Sequence, residues 1–368
     1  MTRIQSPIST DGVLEELLSR FCPGHSDCTI VPIGHGNIND TYLVKTSVKK
    51  FILQRISATV FPKPLHVITN FQSIAAHLER RTGAIAPEWQ FARSVLTDQG
   101  DLFYHDERGD FWRGQTYLPH RVVTMLNSRH QGYELGRTLG IFHLLVSDMD
   151  GETLHDPLPG FHILPQYLEK FDYTRKKNSS MEAGSQYCQE SIEKHRIKAA
   201  ILERAKEGGI LAMQPIHGDP KIDNFIFNEL GCGVGMIDMD TVSLGLLHYD
   251  LGDCLRSCCN RSGEGGGVNR GIHFDMEICK AILEGYFLQA GSLFSPSARS
   301  YIFDAVLLLT FELGLRFFTD HLMGDNYFKI DAPGENLQRA VIQFRLVEEI
   351  EKYELEIRAL AEHIDKSG

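Results

Sequence analysis

At 368 residues, 42% of them hydrophobic and 23% charged, the chain excludes a disordered polypeptide and is long enough for two lobes with substantial buried cores. Its net charge of −11 argues against a broad nucleic-acid or acidic-membrane surface. Eight cysteines without framework spacing, and no apolar run of signal-peptide or membrane-spanning length, point to a soluble, cytoplasmic protein with reduced thiols and no evident targeting.

The expected elements begin with a helix from Asp11 to Phe21, apolar at 13, 14, 17, 18 and 21, with an N-cap among Ser9, Thr10 and Asp11. β-prone runs follow at 29–33, 41–45 and 51–56. The first two are joined by the loop Gly34-His-Gly-Asn-Ile-Asn-Asp40, whose glycines, Gly34 and Gly36, let backbone amides approach phosphate closely. Taken alone, the same loop is an ordinary hairpin turn. Pro64 to Arg81 carries a helical stripe of Leu65, Ile68, Phe71, Ile74, Ala75 and Leu78, on which His77 and Glu79 read as solvated. Short strands are expected near 90–96, 102–105 and 111–117, after which Pro119 takes the chain out of the sheet.

Beyond Pro119 the pattern is helical. Gly132 to Ser147 has its apolar residues at helical spacing, with His143 among them as a core histidine. A two-proline loop at 158–165 leads to a short helix ending at Phe171; 173–189 is polar, and 190–207 reads as one charged amphipathic helix. Cys254, Cys258 and Cys259 lack a second pair at metal-ligand spacing and read as buried thiols. Two long helices, 296–323 and 335–364, close the chain. Within the first, the i, i+4 spacing of Glu312, Arg316 and Asp320 reads as a surface ion-pair ladder.

The stretch from Ile216 to Asp253 concentrates the chemistry. Phe225-Ile-Phe and Val234 to Asp238 are β-prone runs separated by turn residues, so a hairpin brings Asp219, Lys221 and Asn224 at one end to Asp238 and Asp240 at the other. An Asp and an Asn meeting there make an all-oxygen site suited to Mg²⁺, with phosphates as the remaining ligands. Asp219 is far enough from Asn224 to face a substrate, and Lys221 can neutralise a transferring phosphate. On an extended chain, Asp238 and Asp240 would share one face.

These residues carry a resemblance. HGDPKIDN, residues 217–224, resembles the catalytic loop of the protein-kinase-like superfamily, in which a base Asp is followed two residues later by Lys and five later by the Mg²⁺-binding Asn. MIDMD, residues 236–240, resembles the second metal motif, and His-Gly-Asp with Ile-Asp-x-Asp is similar to the aminoglycoside phosphotransferase superfamily. Gly36 to Tyr42, Phe51 to Ile56, Pro159 to His162, Ile237 to Val242 and Arg316 to Lys329 resemble its N-acetylhexosamine 1-kinase branch, so the likeness spans nearly the whole chain.

The resemblance implies an α+β, two-lobed protein-kinase-like fold: a small antiparallel sheet over the nucleotide, residues 1–119, and a mainly helical catalytic and acceptor lobe, residues 120–368. It implies ATP and Mg²⁺ as cofactors and a small-molecule acceptor, an amino sugar phosphorylated at its anomeric hydroxyl, with no nucleic-acid or membrane partner and a monomer or homodimer. Asp219 and Lys221 are then catalytic, and Asn224 and Asp238 bind metal. Gly34, Gly36, Asn39, Gln54 and Tyr117 surround the nucleotide, while Arg316 and Tyr327 meet the acceptor. Gln54 stands where protein kinases have a phosphate-pairing Lys; Arg55 through a bulge, Gln54 itself, Lys45 or Lys221 are the candidates to replace it. Two alternatives stay open: the same chemistry on an aminoglycoside, choline or homoserine, and a silent pseudokinase.

Overall fold

The computed structural model describes residues 11–24, 28–33, 38–119, 123–177, 183–263 and 271–364. Helix α1 (Asp11–Phe21) is amphipathic, and its Leu17 and Phe21 bury against Val44, Phe51, Leu53 and Trp112 of a sheet. That sheet is antiparallel throughout. It contains β1 (Thr29–Pro32), β2 (Asp40–Lys45), β3 (Lys50–Ile56), β4 (Ser94–Val95), β5 (Tyr104–His105) and β6 (Phe111–Thr116), in the order β1-β2-β3-β6-β4, with β5 also on β6. The strands expected at 90–96 and 102–105 form ladders only at 94–95 and 104–105. In the β3–β6 register, Gln54 stands opposite Arg113.

Between β3 and β4 runs α2 (Pro64–Ile85), started by proline at its first turn, where the missing N–H costs nothing. Its buried stripe of Phe71, Ile74 and Leu78 belongs to the core of the helical region, so the helix ties sheet to helices. His77 is not solvated as the stripe suggested: it is buried, with Nε2 at 3.0 Å from Leu145 O, while exposed Glu79 pairs with Arg93 at 2.7 Å.

The helical region comprises α3 (Arg129–Val146), α4 (Leu164–Lys177), α5 (Ala183–His195), α6 (Ile201–Glu207), α7 (Leu247–Cys258), α8 (Met276–Ala290), α9 (Pro296–Arg299), α10 (Ile302–Leu322), α11 (Glu335–Glu351) and α12 (Glu354–His363). Ser128 caps α3 by accepting from Gln131 N–H. α3 lies against α8 so closely that a Cβ at Gly136 would fall 1.9 Å from Ile282 O. Each of the long helices expected at 190–207, 296–323 and 335–364 is broken once. The break before α12 re-aims the apolar stripe: Phe344, Val347 and Ile350 bury along α11, while α12 turns onto the start of α10, where Arg358 bonds Ser300 O and Asp304. Among the described residues, no helix is long and apolar enough to cross a membrane.

Candidate active site

Two nested ribbons build the site. β7 (Met213–Ile216) pairs antiparallel with β10 (Ser243–Leu246), and between them in sequence β8 (Phe225–Phe227) pairs with β9 (Gly233–Met236). Ile216, Phe225, Phe227, Met236 and Val242 are buried, which leaves the polar loops 217–224 and 237–242 side by side at the ribbon ends. Ile237 N–H donates to Asn224 O at 2.9 Å, and His217 Nε2 donates to Ile237 O at 2.9 Å. Gly218 has φ +86° and a Cβ there would lie 2.7 Å from Thr241 O, so the turn into Asp219 accepts only glycine.

A buried aspartate sets this turn. Asp250 on α7 accepts from His217 N–H at 2.7 Å, Gly218 N–H at 2.8 Å and His143 Nε2 at 2.9 Å, and His143 Nδ1 meets the Tyr286 hydroxyl at 2.7 Å. Burial alone would raise its carboxyl, but these donors, His143 foremost, hold it below the usual carboxylate range. His143 is thus a core histidine that orients the loop 217–224 through Asp250.

Within the loop, Lys221 Nζ lies 2.6 Å from Asp219 Oδ2, and Asn224 Nδ2 donates to Asp219 O at 2.7 Å. That bond turns Asn224 Oδ1 away, and no hydrogen bond among the described residues reaches it. Asp238 occupies a left-handed backbone position, φ 65° and ψ 57°, and opens on the cleft. Although its surface is open to the cleft, the protein packed around it and the charge of Asp240 push its carboxyl up, against the pull of Lys221. Two hard oxygen donors, one of them an uncompensated acid, fit a divalent cation that takes its other ligands from phosphate and water. Among the described residues, no three His, Cys, Asp or Glu side chains cluster to hold a metal by themselves.

The shared face expected for Asp238 and Asp240 is not found, because the strand ends at Met236 and residues 239–241 form a 3₁₀ turn. Asp240 instead turns toward the sheet, pairing with Arg113 and accepting from Asn39 Nδ2 at 2.5 Å.

Residues 29–282, well over half the chain, match the model of the phosphotransferase enzyme family APH. The chain belongs to this phosphotransferase family. Its fold is similar to that of an aminoglycoside phosphotransferase from Alicyclobacillus acidocaldarius (TM-score 0.66, 14% identity, 98% of this chain and 99% of that one). It is also similar to spectinomycin phosphotransferase in complex with ADP and spectinomycin (0.56, 15%, 98% and 100%) and to choline kinase from Cryptosporidium parvum (0.60, 13%, 94% and 96%). At such identities the likeness establishes the kinase-like fold alone.

In this phosphotransferase, Asp219, Lys221 and Asp238 line one cleft of ≈ 190 Å³ with Gln54, Arg316 and Tyr327. The far end of the cleft comes from separate elements. His162, from the loop before α4, sits buried with Nε2 2.9 Å from Gly218 O and Nδ1 3.2 Å from Glu312 Oε1. Both ring nitrogens face acceptors, an arrangement that favours the doubly protonated ring; burial works against the charge, but Glu312 and Asp253 outweigh it and raise the imidazole above its ordinary value. His162 and Asp238 both have positive φ without being glycine, and both line the cleft. Asp253 pairs with Arg256 Nε at 2.8 Å.

The surface ladder is corrected as well, since Glu312 and Asp320 are buried. Arg316 lies 3.8 Å from Glu312 and within 6 Å of four ring centroids: Phe161 at 5.0 Å, Tyr167 at 5.4 Å, Phe328 at 5.5 Å and Tyr327 at 5.9 Å. Asp320 accepts the N–H groups of Asn326, Tyr327 and Phe328 at 3.1, 2.9 and 3.0 Å, fixing the loop that carries Tyr327. A second cavity of ≈ 410 Å³ opens beyond Arg316, lined also by Tyr167 and Lys170.

On the nucleotide side, Gly34 and Gly36 lie outside the described residues. Tyr117 follows the end of β6 and is not in the lining of the cleft. Arg55 does not replace the strand lysine: its guanidinium is bonded to Asp40 and Asp110. Spacing offered no signal for His162, Asp253 or Arg256, and Arg113 could be found only by knowing the strand register.

Proposed function

We propose that this phosphotransferase is an ATP-dependent kinase of a small neutral polyol, an N-acetylhexosamine phosphorylated at its anomeric hydroxyl. The observation that carries the reading is that Asp219, which accepts from buried Asn224, shares one cleft with Asp238 on one side and the aromatic-guanidinium pocket of Arg316 and Tyr327 on the other. Residues 1–119 would cover the nucleotide and residues 120–368 would carry catalysis and the acceptor.

Asp219 takes the proton of the acceptor hydroxyl as its oxygen attacks the γ-phosphorus and the bond to the β,γ-bridging oxygen breaks, releasing ADP; such base catalysis gives about 10² to 10⁴ in rate. Lys221, now on Asp219, follows the charge onto the transferred phosphoryl oxygens. Asn224 Oδ1 and Asp238 would hold Mg²⁺, whose charge would neutralise the phosphates.

The charge pairing favours a neutral acceptor. Asp253 is matched by Arg256, and Glu312 by His162 and Arg316, so among the described residues these carboxylates near Arg316 are already answered without a quaternary ammonium or an aminoglycoside amine. The rings around Arg316 suit the C–H faces of a sugar. ADP release measured with N-acetylglucosamine, N-acetylgalactosamine, choline and an aminoglycoside tests this: turnover should appear with the hexosamines. Turnover with choline alone would overturn the acceptor, and ATP binding without turnover on any acceptor would favour a silent kinase. Asp219→Asn should lose at least about 100-fold in turnover while ATP still binds by calorimetry; unchanged turnover would sink Asp219 as the base.

A further inference from the structure

Two histidines bracket the turn that leads into Asp219. The peptide joining Gly218 to Asp219 has its carbonyl 2.9 Å from His162 Nε2, and its N–H donates to His217 Nδ1 at 3.3 Å. A peptide is planar, so holding both polar ends holds the plane, and with it the direction in which the Asp219 side chain leaves the turn. The two rings play opposite parts. His217 donates from Nε2 to Ile237 O and accepts at Nδ1, the pattern of a neutral ring, and burial lowers its imidazole below the ordinary value. His162 faces a carbonyl, which only accepts, so its Nε2 carries the proton and donates to Gly218 O.

The other supports of this turn come from elsewhere. Asp250 takes the N–H groups of His217 and Gly218 from α7, while His162 reaches the Gly218 carbonyl from the loop before α4. The imidazole is held on every side. It is 5% exposed, its Nδ1 lies 3.2 Å from Glu312 Oε1, and its ring packs against Phe161 at 3.8 Å and Tyr249 at 5.4 Å between centroids. Its backbone sits at φ 62°, a left-handed position that a residue other than glycine keeps when its surroundings demand it. Both ring nitrogens are thus taken by protein groups, and although His162 lines the cleft it has no nitrogen left for a substrate. Glu312, which orients it, also lies 3.8 Å from Arg316, so one imidazole ties the turn before Asp219 to the cation of the aromatic pocket.

We propose that His162 is a positioning residue for Asp219: oriented by Glu312, it pins the Gly218 carbonyl and so sets the Asp219 carboxylate against the acceptor hydroxyl. The inference rests on Asp219 being the base, as in the reading above, and the test separates the two.

The full chain is assayed for ADP release with N-acetylglucosamine, and kcat is measured beside KM for ATP and for the acceptor. His162→Gly suits the left-handed backbone and removes only the imidazole. It should lower kcat by about 10- to 100-fold, the cost of a misplaced reacting group, with both KM values near wild type. Free imidazole added to His162→Gly should restore part of the turnover and leave the wild type unchanged. His162→Gln keeps an N–H₂ for the carbonyl and should lose less in kcat than His162→Gly. If the wild type shows no turnover, or Asp219→Asn turns over like the wild type, the reading of Asp219 falls and this inference with it. If Asp219→Asn is inactive while His162→Gly keeps its kcat, the positioning role alone is overturned. The same holds if both His162 variants lose only folded protein, or if imidazole restores nothing.

Discussion

At one end of the cleft, proposed to take the phosphates, Asp219, Lys221 and Asp238 come, with the buried Asn224, from one short stretch and are set by two ribbons that neighbour each other in sequence. At the other end, proposed to take the acceptor, His162, Asp253, Arg256, Glu312, Arg316 and Tyr327 come from a loop, two helices and a second loop, brought together by the helical core. The first end depends on local chain geometry: a glycine turn, a left-handed Asp238 and backbone bonds between adjacent loops. The second depends on charge pairing, within α7 for Asp253 and Arg256, and within α10 and across to the loop before α4 for Glu312 with Arg316 and His162. Apart from α7, which carries both Asp250 and Asp253, and the contact of His162 with Gly218 O, the two ends rest on different elements.

The largest test of that separation is Asp219→Asn, which should abolish transfer and leave acceptor binding by calorimetry close to wild type; loss of acceptor affinity of similar size would merge the two ends. Asp250→Ala should be next, because it leaves two amides and His143 without their acceptor at once. Removing a buried charged partner of this kind costs roughly 3–5 kcal/mol, read as a lowered denaturant midpoint with unchanged slope, and the displaced Asp219 loop should take activity down with it. A full-stability variant would show that the loop is held from elsewhere.

Arg316→Met should raise the acceptor KM about tenfold, the equivalent of roughly 1.4 kcal/mol, with KM for ATP unmoved; a change in ATP dependence alone would put Arg316 at the wrong end. The smallest effect is in pH. The imidazole of His162 is raised above its ordinary value of 6.5, so its stabilising contribution is complete below that value and is lost as pH rises through the folded pKa. The stability difference between wild type and His162→Gln should shrink as pH increases above about 6.5. A difference that is flat or grows with pH would mean that His162 is neutral in the fold.

The legibility of the two ends follows their construction. The hairpin from Phe225 to Met236 and the loop 217–224 were readable because turn residues, alternating apolar runs and motif spacing act within a few residues. Even there, Asp240 was misplaced: two-residue alternation assumes a strand, and the chain leaves the strand after Met236. His77 and the Glu312–Asp320 ladder were misread for the converse reason. Helical spacing says which residues share a face but not whether another layer covers it, and α2 and α10 are covered on faces whose charges looked solvent-bound.

What the sequence determined by itself is the chemistry at the ribbon ends and the sheet-then-helix order, since both arise from contacts close along the chain. Tertiary structure alone decided which charges meet around the cleft. Gln54 and Arg113 meet through a strand register, and Glu312 and His162 through helix packing. Such pairings depend on where distant segments come to rest, and their energy arises only once water has been excluded between them.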